Sequence, residues 1–124
     1  MDDFVRNDKI DEGRIIIVEG ANDRNTIQKV LQDAVPVICT YGTFGVEKFD
    51  EMLEKYHLDD KEVYIFVDQD EAGRELRKEL TRELPYAYHL YATEEWPEVE
   101  NAPANEIAKE LAKHNFNVHP LFLL

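Results

Sequence analysis

Hydrophobic residues along this chain alternate between two spacings. Residues 14–18 place four β-branched residues, Ile15 to Val18, in a row with no polar interruption, which predicts a strand buried on both faces. The run stops at Glu19-Gly20. A helix is then predicted, with Asn22 or Asp23 as its N-cap and Ile27, Val30, Leu31 and Ala34 on one face. Residues 36–40 read as a second short strand that tolerates Pro36 at its start, followed by a glycine-punctuated turn from Tyr41 to Gly45. Val46, Phe49, Leu53 and Tyr56 then recur at helical spacing. Residues 63–67 form a third unbroken apolar run, leading into Asp68-Gln69-Asp70-Glu71-Ala72-Gly73. Leu76, Leu80 and Leu84 mark the inner face of a third helix, which Pro85 ends. Residues 86–91 read as a fourth strand. A polar loop over 93–103 holds two prolines, Trp96 and four glutamates. A last helix over 104–114 turns Ile107, Ala108 and Leu111 inward.

Strand and helix thus alternate four times. Two strands lack polar alternation, so both of their faces must be covered. This combination predicts an α/β fold: a four-stranded, mainly parallel, Rossmann-like sheet with helices on both faces. Right-handed crossovers leave few topologies, and the expected strand order is 2-1-3-4. No repeat or break in composition divides the chain. Residues 1–13 read as a polar lead-in and residues 14–124 as one domain.

Composition narrows the function classes. Of 124 residues, 44% are hydrophobic and 33% charged, which excludes a disordered tail. No apolar run approaches the roughly 20 residues needed to span a bilayer. The acidic start, Met1-Asp2-Asp3, lacks the order of a secretion signal, and the lone Cys39 permits neither an internal disulfide nor a cysteine-based zinc site. A cytoplasmic location is expected. Asp and Glu number 27 against 14 Lys and Arg, a formal charge of −13. Such a chain cannot hold nucleic acid by a broad cationic surface. Any nucleic acid would be bound weakly by this chain alone, through a divalent metal on its carboxylates or with help from a partner.

In open α/β sheets ligands collect at the carboxyl ends of the strands, where the winding direction switches. Here that point lies between strands 1 and 3. Glu19 ends strand 1, and Asp68 and Asp70 follow strand 3, so three distant carboxylates are expected to converge. Like charges this close resist full ionisation unless a cation is shared. Hard oxygen donors suit Mg²⁺ or Mn²⁺. Asp70 has a second option as a helix cap, which accounts for one of the three. Gly20 allows a sharp turn after Glu19, Gly42 and Gly45 follow strand 2, and Gly73 lies where a side chain would crowd the site.

The ordered set Val18-Glu19-Gly20 with Asp23, a glycine-bearing turn after strand 2, and Asp68-Gln69-Asp70 with Gly73 resembles the Toprim domain. That family includes parts of primases, type IA and type II topoisomerases and old-family nucleases. The resemblance runs from about Arg14 to Leu90. The stretch from Asp68 to Arg77 is most similar to the Toprim ribonuclease that matures 5S ribosomal RNA, and the short chain resembles the small stand-alone Toprim proteins. The resemblance implies that Glu19 is the general acid or base and that Asp68 and Asp70 hold Mg²⁺, with Asp23 joining through a water. Gly20, Gly42 and Gly73 are the implied backbone contributors to the binding site. Two positions depart from the pattern. Ala21 stands where many relatives carry lysine, and Glu71 stands where type IA topoisomerases carry arginine.

Other signals read more plainly. Arg74 and Arg77 lie on the helix after the metal loop, where either could contact a phosphate, and a solvated helical face is the expected reading. His57, His89, His114 and His119 lack metal-like spacing, Trp96 closes a core edge, and Cys39 is a small buried hydrophobe. The apolar end, residues 120–124, adds an edge strand or covers a dimer contact. Two functions are expected to compete. One is Mg²⁺-dependent phosphodiester cleavage in RNA or DNA, with the ion expected on Glu19, Asp68 and Asp70. The other is a non-catalytic metal- or nucleotide-binding module acting through a protein partner or a second copy. A receiver-like phosphoacceptor fails for want of paired acids after strand 1. A haloacid-dehalogenase reading fails because the Asp-x-Asp follows the third strand.

Overall fold

Four apolar runs become four strands of one sheet in the computed structural model, which describes residues 13–42 and 45–124. The expected lead-in, apart from Gly13, and Thr43 and Phe44 of the glycine turn lie outside the described residues. The strands are β1 (Arg14–Val18), β2 (Val37–Cys39), β3 (Glu62–Val67) and β4 (Tyr88–Tyr91). Four helices join and follow them: α1 (Ala21–Val30), α2 (Val46–Tyr56), α3 (Glu71–Glu83) and α4 (Ala104–Lys113). The order is β2-β1-β3-β4 and every pairing is parallel, with Ile17 opposite Ile38 on one side and Ile65 on the other.

Alternation along β1 divides the core. Ile16 and Val18 point with Tyr64 and Phe66 toward Ile27 and Val30 of α1 and Ile107 and Leu111 of α4. Ile15 and Ile17 point with Val63 and Ile65 toward Phe49 of α2 and Leu76 and Leu80 of α3. Burial of both faces is why β1 and β3 carry no polar alternation. Each fully buried Ile or Leu contributes about 1.5–3 kcal/mol.

Several expected boundaries shift. Helix α1 is capped by Gly20, not by Asn22 or Asp23. Asp23 works from the third helical position, its carboxylate accepting the Gly20 N–H at 3.1 Å. The helix stops at Val30, so helical periodicity no longer applies to Ala34, which is exposed. Asp33 is buried instead and accepts from Asn117. Val46 opens α2 and is 66% exposed, while Met52 fills the inner face beside Phe49. Strand β2 is three residues long, and β4 starts at Tyr88 because Pro85 and Tyr86 form a turn. Trp96 is exposed and closes no core edge, and Cys39 is half-buried. The apolar end reduces to one antiparallel bridge, Leu31 to Val118, and a 3-10 turn at Pro120–Leu123.

Arg77 differs most from its sequence reading. It is not solvated. Its guanidinium donates to the carbonyls of Leu90 (2.8 Å), Ile65 (3.4 Å) and Val67 (3.4 Å), contacts His89 Nδ1 at 2.9 Å, and lies 4.2 Å from the Tyr91 ring centroid. It ties α3 to the adjoining ends of β3 and β4. No described helix is long and apolar enough to cross a membrane.

Candidate metal centre

The parallel register builds the site. Ile17 pairs with Ile65, so Glu19 and Asp68 leave the carboxyl ends of neighbouring strands almost level. Asp70 follows as the N-cap of α3, its carboxylate accepting the Gly73 N–H at 2.8 Å. That bond occupies one oxygen and leaves the second for other work. Asp68 accepts the N–H of Val99 at 2.8 Å through one oxygen in the same way.

The Val99 bond brings the acidic loop onto the site. Gln69 strengthens the attachment: its N–H donates to Pro97 at 2.7 Å and its side chain to Ala92 at 3.4 Å. Glu98 is thereby placed with Asp68 and Asp70, and one carboxylate oxygen from each lies within 4.8 Å of the others. Two oxygens on opposite sides of an octahedral Mg²⁺ lie about 4.2 Å apart, so the spacing of this set is close to that of donors sharing one ion. Among the described residues no other such group exists, and no histidine belongs to this one. The chemistry of the donors, all carboxylate oxygens, fits Mg²⁺ or Mn²⁺.

Glu19 stands beside this trio. With Gly20, Asn22, Asp23, Asp68 and Glu100 it lines an open cavity of about 260 Å³. A cavity of about 420 Å³ lies at the opposite end of β3 and β4, near Leu58, Tyr86 and Tyr88, away from the acidic trio. Asp23 is buried and also contacts the Glu100 backbone, so its carboxylate ties α1 to the 3-10 turn at Val99–Asn101. Its place in the cavity leaves a water-mediated metal role as a proposal.

Charge and burial reinforce one another. Burial foremost, and then the charges of Asp23, Asp70 and Glu98, push the Asp68 carboxyl up to about 6 against the pull of the Val99 N–H. Burial raises Glu19 too, followed by the charges of Asp68 and Asp70. Asp23 is raised by burial first. A group of carboxylates held against their own repulsion is a high-energy arrangement that a cation relieves.

The three glycines serve the backbone. Gly20 caps α1. Gly42 has φ of 101°, a left-handed turn that disfavours other residues. Gly73 lies so close to the Asp68 backbone that a methyl group there would fall 2.6 Å from the Asp68 carbonyl carbon, and nearer still to its oxygen. Its smallness lets α3 approach the Asp-x-Asp loop. Glu98 was missed by sequence reading. The cue was a run of glutamates after the last strand, but nothing local specifies that this loop folds back onto Asp68.

The Toprim domain matches this chain over residues 14–94. The uncharacterized protein YusF of Bacillus subtilis (strain 168) is 42% identical over 116 residues, covering 93% of this chain and 78% of that protein. Ribonuclease M5 1 of Ligilactobacillus salivarius (strain CECT 5713) is 32% identical over 89 residues. The match takes in 70% of this chain but 44% of that enzyme. The solved structure of a small TOPRIM domain protein from Bacillus stearothermophilus aligns with a TM-score of 0.84 at 35% identity, covering 90% of this chain and 93% of that one. The sheet order, the acidic residues at the strand ends and a domain match over more than half of the chain lead to one conclusion: this protein belongs to the Toprim domain family.

Proposed function

We propose that the protein is a Mg²⁺- or Mn²⁺-dependent phosphoryl-transfer enzyme that cleaves a phosphodiester in nucleic acid. The observation that carries this reading is the convergence of Asp68, Asp70 and Glu98, with Glu19 on the neighbouring strand end. The similarity to a ribonuclease supports nucleic acid as the substrate class. A cytoplasmic site of action belongs to the same proposal.

Asp68, Asp70 and Glu98 would hold the ion, with Asp23 acting through a water. When bound, the ion supplies charge stabilisation for the phosphoryl group in transfer. Glu19 moves the proton. Its carboxyl is raised above its ordinary value by burial first and then by the charges of Asp68 and Asp70, which favours the form that holds a proton. In cleavage a water oxygen bonds to phosphorus and the bond to the leaving oxygen breaks; Glu19 either takes the proton from the attacking water while solvent protonates the leaving oxygen, or protonates the leaving oxygen while solvent takes the proton of the attacking water. The Val99 N–H and the Gly73 N–H keep Asp68 and Asp70 oriented throughout.

A second reading, a non-catalytic metal- or nucleotide-binding module working through a protein partner, is favoured by Ala21 and by the charge of −13. One experiment separates the two. Structured RNA and single- and double-stranded DNA are incubated with the protein in Mg²⁺ and in Mn²⁺, beside Glu19→Gln and the Asp68→Asn, Asp70→Asn double variant. Cleavage by the wild type and its loss in both variants is expected. Equal activity in the double variant rejects the metal mechanism, and no cleavage of any substrate by the wild type favours the binding module.

A further inference from the structure

The charge of −13 raises the question of where this chain touches a polyanion. Tyr91 answers half of it. It ends β4 opposite Val67, the residue before Asp68, so its backbone lies one strand spacing, about 4.8 Å, from the edge of the metal loop. The residue is 46% exposed, although the Arg77 guanidinium lies 4.2 Å from its ring centroid and the His89 ring stacks beside it at 6.2 Å.

The cations of α3 answer the other half. At about 100° per residue, Arg77 and Arg74 fall toward the β4 flank of α3, while Lys78, two residues from both Leu76 and Leu80, lies beside Arg74 on the outward face of the helix. Glu75, Glu79 and Glu83 fall on the flank toward α2, where Glu79 and Glu83 border a cavity with Val46 and Phe49. Arg74 and Lys78 are exposed, and neither forms an ion pair with a described residue, whereas Lys109 and Lys113 are paired with Glu106 and Glu110. Arg74 lies one helical turn from Asp70, its N–H bonded to the Asp70 carbonyl at 2.9 Å. Successive cations four residues apart on a helix rise by about 6 Å, a repeat suited to neighbouring phosphates of an extended strand.

An exposed aromatic ring with unpaired cations beside it is the physical basis of single-strand binding, because a base stacks on the ring while phosphates meet the cations. A duplex keeps its base faces covered and cannot use the ring. We infer that the β4 edge binds a single-stranded nucleic acid, with a base on Tyr91 and phosphates on Arg74 and Lys78, and leads it to the metal centre. This rests on the reading of nucleic acid as the substrate class.

The test is fluorescence anisotropy of labelled oligonucleotides in Mg²⁺: single-stranded RNA, single-stranded DNA and a duplex of the same sequence. The wild type is expected to bind one or both single strands more tightly than the duplex. Tyr91→Leu, which still covers Arg77 but removes the ring, weakens binding about tenfold. The Arg74→Gln, Lys78→Gln double variant weakens binding and lowers the slope of log affinity against log salt by about 1.4. Lys29→Gln with Lys55→Gln, on other helices, changes neither. Melting curves confirm that each variant folds, and the exposed Arg74 and Lys78 positions keep the test informative if Tyr91→Leu does not. Affinities within about twofold of wild type for both patch variants overturn the inference, as do tighter binding to the duplex and no binding at all. Cleavage is scored separately. A protein that binds through the patch yet cuts nothing overturns the catalytic reading and leaves the binding surface standing. One that cuts through Glu19 with affinity unmoved by the patch variants overturns the binding surface alone.

Discussion

Gly73 packs directly on the backbone carbonyl of Asp68, and the contact leaves no room for a side chain. It joins the first turn of α3 to the loop that carries the candidate metal ligands. Gly73→Ala forces the helix or the loop to move, at a cost of about 1–3 kcal/mol. Because Asp68 moves with its backbone, Mn²⁺ affinity falls as well. Urea unfolding and Mn²⁺ titration followed by electron paramagnetic resonance check both outcomes. An unchanged affinity with reduced stability would show that the contact supports the fold and not the site.

Asp68 makes stability depend on pH with a definite sign. Its carboxyl is raised from 3.8 to about 6, so between those values the folded protein binds more protons than the unfolded chain. The stability this group contributes is therefore fully present below 3.8 and is lost as pH rises through about 6. Glu19 and Asp23, also raised, act in the same direction. In EDTA, Asp68→Asn should flatten the fall in stability between about pH 4 and 6 and raise stability at pH 8 by about 1 kcal/mol. Denaturation at a series of pH values reads the difference between the two proteins.

Glu98 tests whether the acidic loop completes the metal centre. Glu98→Gln keeps the size of the side chain and removes one negative ligand, and it should weaken Mn²⁺ binding about tenfold. The residue is exposed and its Asn101 contact is a surface one, so thermal stability should hold. Isothermal titration with the metal alone gives the answer, and an unchanged affinity would remove Glu98 from the ligand set.

Arg77 is expected to matter for stability more than any other basic residue on α3. Hydrogen bonds from a charged donor contribute about 1.5–3 kcal/mol each when buried, and burial already lowers its pKa. Arg77→Met keeps much of the stem but leaves the Leu90 carbonyl without its donor, at a cost of about 2–4 kcal/mol. Arg74→Met, on the exposed surface, should stay within about 0.5 kcal/mol. Chemical denaturation of the pair separates a brace from a solvated charge.

Much of this was legible in the linear chain because it depends on local periodicity. The unbroken run at Ile15–Val18 could only be a strand covered on both faces. Its position between β2 and β3 followed from the few topologies that alternating strands and helices permit. The places of Glu19, Asp68 and Asp70 at strand ends followed from the same reasoning. Tertiary contacts decided the rest. Whether Arg77 faces water or three carbonyls depends on how α3 sits against β3 and β4. Gly73 was legible as a position needing no side chain, but that its neighbour is the Asp68 backbone was not. Glu98 depends on bonds from Gln69 and Asp68 to a loop about 30 residues away, and no hydrophobic rhythm encodes such a contact. The sequence alone determined which side chains end each strand, since strand periodicity is a property of neighbouring residues. Which of them share a site, and what holds them there, was decided by packing between segments distant in the chain.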